Sequence, residues 1–231
     1  VTDDSLFVHA YDDPDIIAGQ GTIGLEILEQ VPEVDTVVVP IGGGGLIGGI
    51  ATAIGERSPS TRIVGVQAAG AATVPESLET GEPQSRDHVQ TIADGIATGG
   101  ISELTLALIE TYVDTVVTVT DTQIAESILF MLERTKQMLE GAAATSVAAI
   151  RSDSLDVSGE TVVPLLCGGN LCMTDLRTVL THGLTYRNQL VGLRVRIVDE
   201  PGKMDHISAE IARHGVNIRD VSHERAVEDL D

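Results

Sequence analysis

The sequence predicts an α/β fold built on a parallel β-sheet, and consecutive features of residues 37–66 carry that prediction. Residues 37–41 read Val-Val-Val-Pro-Ile, a β-branched run typical of a strand that is buried on both faces. Glycines follow at positions 42–45, and residues 46–54 have helical character. A second apolar run occupies residues 62–66. Strand, glycine loop, helix and strand in this order form a βαβ unit, whose crossover joins two parallel strands.

Two further strands and a helix extend this α/β region toward residue 180. Residues 115–120 and residues 161–166 are rich in β-branched and apolar side chains, so each is predicted to form a strand, the second of them buried. Between them, Thr120 and Gln123 have the spacing of a capping box, which marks the start of a helix. That helix is predicted to place a set of apolar side chains on one face: Ile124, Ile128, Met131, Leu132 and Leu139.

The hydrophobic pattern changes at Gln189, which predicts a second, smaller unit. Residues 190–198 alternate between apolar and polar side chains, as in a strand with one solvated face. Residues 203–214 have the pattern of an amphipathic helix that ends at Gly215, and residues 216–223 alternate again. This βαβ module has too few elements to bury both faces of a sheet, so we expect it to be truncated or to need a partner.

The charge balance of the 231-residue chain excludes several classes of partner. Its 14 basic and 35 acidic side chains give a formal net charge of -21 at pH 7. Such a surface repels phosphate backbones and anionic lipid headgroups, so we expect neither nucleic-acid binding nor membrane binding. Lys136 and Lys203 are the only lysines in the sequence. An acidic, lysine-poor surface indicates a protein adapted to a high-salt (halophilic) cytoplasm, where screening weakens repulsion between crowded carboxylates.

The remaining composition bears on the compartment and on the extent of the chain. The two cysteines, Cys167 and Cys172, do not have the pattern of a disulfide framework or a metal cluster, which favours a reducing cytoplasm. The first residues include no initiator methionine, basic segment or apolar segment, so no secretory signal is predicted. We therefore expect a cytoplasmic protein and an internal fragment of a longer one.

The consecutive glycines are the first candidate for a functional site. Successive backbone N–H groups without side chains can converge on a phosphate, and the positive end of the following helix adds to the attraction. A turn alone would not need so many glycines, so the sequence favours an anion site over a structural turn. The dinucleotide-binding pattern requires a glycine where this sequence has Ile47, and the nucleoside-triphosphate pattern requires a lysine after Gly45, where none follows. Neither pattern is therefore met. A nucleotide-binding α/β domain is the weaker alternative.

A series of short motifs in a fixed order resembles one group of enzymes. They are Ala-Gly-Gln-Gly-Thr at 18–22, Pro-Ile-Gly-Gly-Gly-Gly-Leu at 40–46, Ala-Asp-Gly at 93–95, Glu-Gly-Ala at 140–142 and Cys-Gly-Gly-Asn at 167–170. This arrangement resembles the threonine dehydratases (threonine ammonia-lyases) and the serine dehydratase and racemase group over residues 7–180. Those enzymes depend on pyridoxal phosphate (PLP) and have the tryptophan-synthase-β-like fold. Residues 190–224 resemble the first half of an ACT-type regulatory domain.

The resemblance implies a domain organisation and a set of cofactor residues. Residues 1–182 would be the C-terminal portion of a PLP-dependent catalytic domain, and residues 189–231 a partial ACT-like domain. Main-chain N–H groups of the glycine loop would bind the cofactor phosphate. Cys167 stands where the family commonly has a serine that hydrogen-bonds the pyridine nitrogen, and a neutral partner leaves that nitrogen unprotonated. The implied cofactor-binding residues are Gly42, Gly43, Gly44, Gly45, Leu46 and Cys167.

These assignments have structural alternatives. An isolated cysteine is more often a buried small hydrophobe than a cofactor contact, and the Gly-Gly-Asn that follows Cys167 favours the cofactor. By the same resemblance Gly95 and Glu140 would line the pocket, although a lone Glu140 would more often be a surface charge at the end of a helix.

Two features found in relatives are absent from this sequence. The family's Schiff-base segment, Ser-Phe-Lys-x-Arg-Gly, does not occur; Lys136 is expected in a helix, Lys203 in the second unit, and both as solvated lysines. No catalytic residue is therefore assigned. The position where some relatives hold a divalent cation reads Gln-Ala-Ala-Gly-Ala-Ala-Thr at residues 67–73, without a carboxylate. The histidines show no metal-ligand spacing either, so no metal is predicted.

The function implied by the resemblance is that of a PLP-dependent lyase. It would convert L-threonine, or L-serine, to a 2-oxo acid and ammonia in branched-chain amino-acid synthesis or threonine catabolism. An amino-acid effector at the C-terminal module and a homo-oligomer of the complete enzyme are also expected. Because the lysine segment is missing, the chain alone is expected to be inactive. The alternatives are a non-catalytic remnant or regulatory amino-acid-binding subunit and, less favoured, a serine racemase-like enzyme.

Overall fold

The centre of the molecule is a four-stranded parallel sheet. A computed structural model describes residues 7–224. Strand β1 spans Thr36–Pro40, β2 Arg62–Ala68, β3 Thr115–Val119 and β4 Val162–Pro164, and their order in the sheet is β3-β2-β1-β4. All three pairings are parallel, with Val38 of β1 opposite Val64 of β2 on one side and Pro164 of β4 on the other. The predicted parallel α/β fold is confirmed.

Helices cover both faces of this sheet. In chain order the helices are α1 (Pro14–Gln30), α2 (Gly45–Arg57), α3 (Val74–Thr80), α4 (Glu103–Tyr112), α5 (Asp121–Arg134), α6 (Gly141–Arg151), α7 (Met173–Tyr186) and α8 (Lys203–Arg213). Val37 and Val39 pack into the core with α2 and α4, whereas Val38 points to the opposite face and packs with α5 and α6. Within residues 7–224 no helix has both the length and the apolar character needed to cross a bilayer.

Helices α1 and α2 touch backbone to backbone through glycines. A Cβ atom on Gly21 would lie 3.1 Å from the carbonyl oxygen of Gly49, and one on Gly24 would lie 2.9 Å from that of Ile50. A Cβ atom on Gly49 would overlap the carbonyl oxygen of Ile17. Gly21 belongs to the 18–22 motif of the sequence, so one task of that motif is to let α1 approach the helix that follows the glycine loop.

The start of α5 forms as predicted. The Thr120 Oγ1 accepts a hydrogen bond from the Gln123 N–H at 3.3 Å, and the Gln123 Oε1 accepts one from the Thr120 N–H at 2.7 Å. This reciprocal pair is a capping box, which satisfies two backbone donors at the helix N-terminus. Of the predicted apolar face, Ile124, Ile128 and Met131 are buried.

The end of α5 differs from the prediction in two respects. The helix stops at Arg134, so Leu139 does not belong to its apolar face, although Leu139 is buried in the loop that follows. Lys136 lies in the same loop rather than in a helix, with a left-handed φ of 62°. Leu139 turns into the core from a loop, so it continues the apolar spacing although no helical hydrogen bonds hold it. The apolar pattern therefore predicted a longer helix than the structure has.

Strand β4 is shorter and more exposed than predicted. The prediction covered residues 161–166 as a buried strand, but only Val162–Pro164 pair with β1, and all three are half-buried. Within the described part of the chain, β4 is an edge strand that pairs with β1 alone, and Pro164 has no N–H to donate. Backbone hydrogen bonding to β1 continues for one residue beyond β4, since the Leu165 N–H donates to the Val38 carbonyl at 2.9 Å.

The chain divides into two compact units, one up to Leu190 and one from Val191 onward. The second contains α8, whose predicted position and end at Gly215, with a φ of 69°, are confirmed. The flanking segments 190–198 and 216–223 form no strands, and their apolar side chains are exposed, with Val191 at 62% and Ile218 at 45%. Alternation produces a strand only when a neighbouring strand supplies hydrogen-bond partners, so the two predicted strands were wrong in this chain.

The domain boundaries stay predictions at their outer ends. The first six residues of the predicted domain 1–182 and the last seven of the predicted domain 189–231 lie outside the described residues. At the inner boundary, α7 continues past residue 182 and ends at Tyr186.

Candidate cofactor site

The glycine loop lies at the carboxyl end of β1 and leads directly into α2. Ile41 is still held in the sheet, because its N–H donates to the Val66 carbonyl at 2.7 Å. Gly44 is the N-cap of α2 and has a left-handed φ of 93°, a backbone that favours glycine. Among the described residues no side chain caps this helix, and no acidic residue lies in its first turn. The first N–H groups of α2 therefore have no partner within the helix, which is the arrangement used by anion sites at helix N-termini.

At two positions of the loop, neighbouring residues on one side leave little room for a side chain. A Cβ atom on Gly42 would lie 3.1 Å from the Cα of Ile96, and one on Gly44 would lie 2.7 Å from the Cβ of Thr105 in α4. Real Cβ atoms essentially never come as close as 2.7 Å, and a contact of 3.1 Å would require Ile96 to move by a few tenths of an ångström. Packing thus gives these glycines a structural reason of their own, so the anion site depends on the free N–H donors rather than on the number of glycines.

Tyr11 covers the loop from another side. A Cβ atom on Gly43 would overlap the Tyr11 ring, and one on Gly45 would lie 2.8 Å from the Tyr11 carbonyl oxygen. His9 supports this segment, since its Nδ1 accepts the Asp12 N–H at 2.9 Å and its ring stands edge-to-face with that of Tyr11 at 4.6 Å. The sequence analysis missed Tyr11, because this contact joins residues far apart in the chain and no local pattern marks it.

The Cys-Gly-Gly-Asn motif meets Glu140 at the carboxyl end of β4. The Glu140 Oε2 accepts the Asn170 N–H at 2.8 Å, and the Glu140 N–H donates to the Gly168 carbonyl at 3.3 Å. A Cβ atom on Gly168 would overlap the Glu140 carboxylate. Glu140 is the N-cap residue of α6 but does not cap it through its side chain, which is half-buried against this turn.

The Ala-Asp-Gly segment connects the two halves of the site. A Cβ atom on Gly95 would lie 3.1 Å from the Glu140 Oε1, and the neighbouring Ile96 is the residue that contacts Gly42. Asp121 holds the start of this segment, because its carboxylate accepts the Thr91 hydroxyl at 2.6 Å and the Ile92 N–H at 3.2 Å. Since β1 and β4 are adjacent and parallel, the glycine loop and the cysteine motif leave the same edge of the sheet, where open α/β sheets bind their ligands.

Cys167 is exposed rather than buried as a small hydrophobe. Enough protein surrounds its sulfur that burial raises the pKa of the Cys167 thiol; a backbone hydrogen bond opposes this, and the Glu140 carboxylate raises the pKa further. The thiol is thus held in its neutral form. A neutral thiol can donate or accept a weak hydrogen bond toward a ring nitrogen.

Lys136 makes no contact with this site, and Lys203 belongs to the second unit. Lys136 is exposed, and its Nζ donates to the carbonyl oxygen of Glu133 at 2.8 Å. Lys203 pairs with Glu200 at 3.1 Å in the second unit. Both lysines are exposed surface residues, as predicted.

The loop after β2 is closed by an amide rather than by a carboxylate. The buried Gln67 Oε1 accepts the N–H groups of Thr73 and Val74 at 3.1 and 2.9 Å. These bonds satisfy donors at the start of α3. Across residues 7–224 no group of three or more histidine, cysteine or acidic side chains is placed to hold a metal ion.

The donors present fit PLP. The glycine loop offers neutral N–H groups and a positive helix end to a phosphate, and this matters in a chain with a net charge of -21. The same edge of the sheet carries a neutral thiol suited to a heterocyclic nitrogen. Gly42, Gly43, Gly44, Gly45 and Leu46 would hold the phosphate, and Cys167 would face the ring.

The chain is an α/β domain whose parallel sheet carries a glycine loop and a cysteine motif at one edge. The family profile described as pyridoxal-phosphate dependent enzyme matches residues 2–168, so the chain belongs to that family. It is 43% identical over 227 residues to an L-threonine ammonia-lyase of Geobacter sulfurreducens, across 98% of this chain and 56% of the relative. The predicted resemblance to threonine ammonia-lyases is confirmed.

Two solved structures have the same fold. Threonine deaminase isoform 2 of Solanum lycopersicum superposes with a TM-score of 0.71 at 32% identity, covering 76% of this chain and 52% of that one. Maize serine racemase superposes with a TM-score of 0.69 at 32% identity, covering 80% and 57%. The chain spans about half the length of the curated relatives it matches.

Proposed function

We propose that this chain is the phosphate-binding portion of a PLP-dependent threonine ammonia-lyase. The observation that carries the proposal is the uncapped N-terminus of α2 behind the glycine loop, at the same sheet edge as Cys167. The loop would fix the cofactor through its phosphate, and Cys167 would meet the pyridine nitrogen as a neutral partner. Bound PLP supplies an electron sink for the substrate carbon that loses its proton.

The proposed substrate is L-threonine, with L-serine as a second substrate, and the products are a 2-oxo acid and ammonia. The support is the similarity to the Geobacter sulfurreducens L-threonine ammonia-lyase and to the tomato threonine deaminase. The proposed setting is threonine catabolism or branched-chain amino-acid synthesis in the cytoplasm. The complete enzyme is proposed to be a homo-oligomer, with an amino-acid effector at an ACT-like second unit.

The 231-residue chain by itself is proposed to be inactive. Neither of its two lysines lies in the family's Schiff-base segment, and the Lys136 Nζ donates to the Glu133 carbonyl, so we expect no covalent bond to the cofactor. Purified chain incubated with PLP and threonine should release no 2-oxobutanoate above the rate of PLP alone. Sustained production of 2-oxobutanoate would contradict this proposal.

Two alternatives are favoured by particular observations. The absence of a lysine at the site favours a non-catalytic remnant or a regulatory subunit that binds an amino acid. The similar TM-score of maize serine racemase favours a racemase-like parent. Upstream gene sequence with an in-frame lysine segment would favour a catalytic parent over the remnant, and formation of D-serine rather than 2-oxo acid by that parent would favour the racemase.

Binding of the phosphate can be tested without the aldehyde. Pyridoxine 5′-phosphate has the ring and the phosphate but forms no bond with amines, so calorimetric titration measures the site alone. It should bind at least about tenfold more tightly than pyridoxine, because only the former engages the α2 N-terminus. Equal affinity for the two compounds would contradict the proposed phosphate site.

A further inference from the structure

The Glu140 carboxylate lies where three segments distant in sequence meet. Its Oε2 accepts the Asn170 N–H at 2.8 Å, while its backbone N–H donates to the Gly168 carbonyl at 3.3 Å. Its Oε1 faces Gly95, where even a Cβ atom would lie only 3.1 Å away. Glycines at positions 95 and 168 leave the space that this carboxylate fills.

We propose that Glu140 is a positioning residue, which holds the turn at residues 168–170 and thereby fixes the place of Cys167 at the edge of the site. The Asn170 N–H and the Gly168 carbonyl flank the turn, so the two hydrogen bonds clasp it from one residue. Cys167 directly precedes this turn and follows β4, which ends at Pro164. The position of the Cys167 side chain therefore depends on the conformation of this turn.

The charge of Glu140 has a second effect on Cys167. A carboxylate near a thiol disfavours the thiolate, and Glu140 acts in the same direction as burial on the Cys167 pKa. Among the described residues, Glu140 is the charged side chain that acts on this thiol. Cys172, the other thiol of the loop, instead accepts the Asp175 N–H at 3.4 Å as the N-cap of α7.

This inference deepens the proposed function and rests on it for its meaning. If Cys167 meets a pyridine nitrogen, Glu140 keeps that partner neutral and in place, so the nitrogen stays unprotonated. The clasp itself can be measured on the chain without cofactor. Failure of the clasp and failure of cofactor binding are therefore distinguishable.

The test uses two substitutions that separate charge from reach. Glu140→Gln keeps an oxygen that can accept the Asn170 N–H but removes the charge, whereas Glu140→Asp keeps the charge on a side chain one methylene shorter. Both are made in a Cys172→Ser background, since serine retains the cap of α7 and leaves Cys167 as the single thiol. Iodoacetamide alkylation followed against pH gives the thiol pKa.

Glu140→Gln should lower that pKa and speed alkylation about two- to fivefold at neutral pH. Glu140→Asp should leave the thiol pKa raised but accelerate hydrogen exchange of the Asn170 amide at least about tenfold, because the shorter carboxylate no longer reaches it. The matched control is Glu110→Gln, which removes one charge at an exposed position of α4. It should change neither quantity.

Two results would overturn the proposal. One is an alkylation profile of Glu140→Gln that superposes on that of the parent. An equal shift of the thiol pKa in Glu110→Gln counts in the same way, since the effect would then come from net charge alone. The other is unchanged exchange of the Asn170 amide in Glu140→Asp. Circular dichroism of each variant confirms that the helices are intact before either result is interpreted.

Discussion

Gly44 combines three constraints in one residue. Its φ of 93° is left-handed, its missing side chain leaves room for Thr105, and it ends the loop at the first turn of α2. An L-residue in left-handed backbone costs about 1–2 kcal/mol before any contact is counted. Contact with Thr105 at 2.7 Å adds overpacking, which costs a further 1–3 kcal/mol or so.

Gly44→Ala should therefore lower the free energy of unfolding by about 3 kcal/mol. The matched control is Gly81→Ala, because Gly81 also has a left-handed φ, of 71°, but nothing lies within 4 Å of its added Cβ. That variant should lose only about 1 kcal/mol. Urea denaturation of both variants measures the difference, and equal losses would show that Thr105 does not confine the loop.

At the residue scale, the sequence predicted which segments lie together better than it predicted their contacts, while the roles of these residues in cofactor binding stay predictions. The glycine loop, Gly95, Glu140 and the cysteine motif could be identified from motif order, and the structure brings them to one edge of the sheet. The clasp on Asn170 could not be predicted, because it depends on β4 pairing with β1. Tyr11 over the glycine loop was missed for the same reason.

Helices α1 and α2 contain glycines that let the two helices approach each other closely, although glycine has a low helix propensity. Glycine in a helix interior costs about 0.5–1 kcal/mol relative to alanine, yet both helices carry several. At Gly49 the cost is offset by contact with the Ile17 backbone. At Gly19, in the same α1, nothing lies within 4 Å of an added Cβ.

Gly49→Ala should destabilise the chain by about 2 kcal/mol, because the new methyl group overlaps α1. Gly19→Ala should have the opposite sign and stabilise by about 0.5–1 kcal/mol through helix propensity. Thermal unfolding of the two variants compares them directly. Stabilisation by both substitutions would show that α1 is not packed against α2 as described.

At the element scale, prediction succeeded where the local signal and the tertiary environment agree. Strand β1 is buried throughout and lies in the interior of the sheet, and the capping box at Thr120 requires only neighbours in sequence. Prediction failed where a partner decides the outcome. Up to residue 224 the structure places no strand beside the alternating segments of the second unit, and Leu139 is buried from a loop rather than from the helix.

On the scale of the whole molecule, the charge of -21 is compatible with a phosphate ligand only because the proposed donors are neutral backbone groups. The helix end supplies the attraction locally, while the acidic surface opposes folding through self-repulsion. Arg187, which bonds Glu126 and Glu133, is one of few basic side chains that relieve this repulsion on α5. Dissolved salt would relieve the rest.

Raising KCl from about 0.1 M to about 2 M should therefore raise the melting temperature of the chain, as expected for a protein adapted to a high-salt cytoplasm. Differential scanning calorimetry at several KCl concentrations measures the trend. A parallel series in NaCl separates screening from a specific effect of potassium. A melting temperature that falls with KCl would refute the adaptation.

The most direct measurement is the response of the loop amides to pyridoxine 5′-phosphate in ¹⁵N-correlated NMR spectra of the chain. We expect the amides of Gly42, Gly43, Gly44, Gly45 and Leu46 to shift most, pyridoxine without phosphate to leave them unmoved, and Gly44→Ala to abolish the response. Shifts located elsewhere, or identical shifts with both compounds, would contradict the claim that this glycine loop is a cofactor-phosphate site.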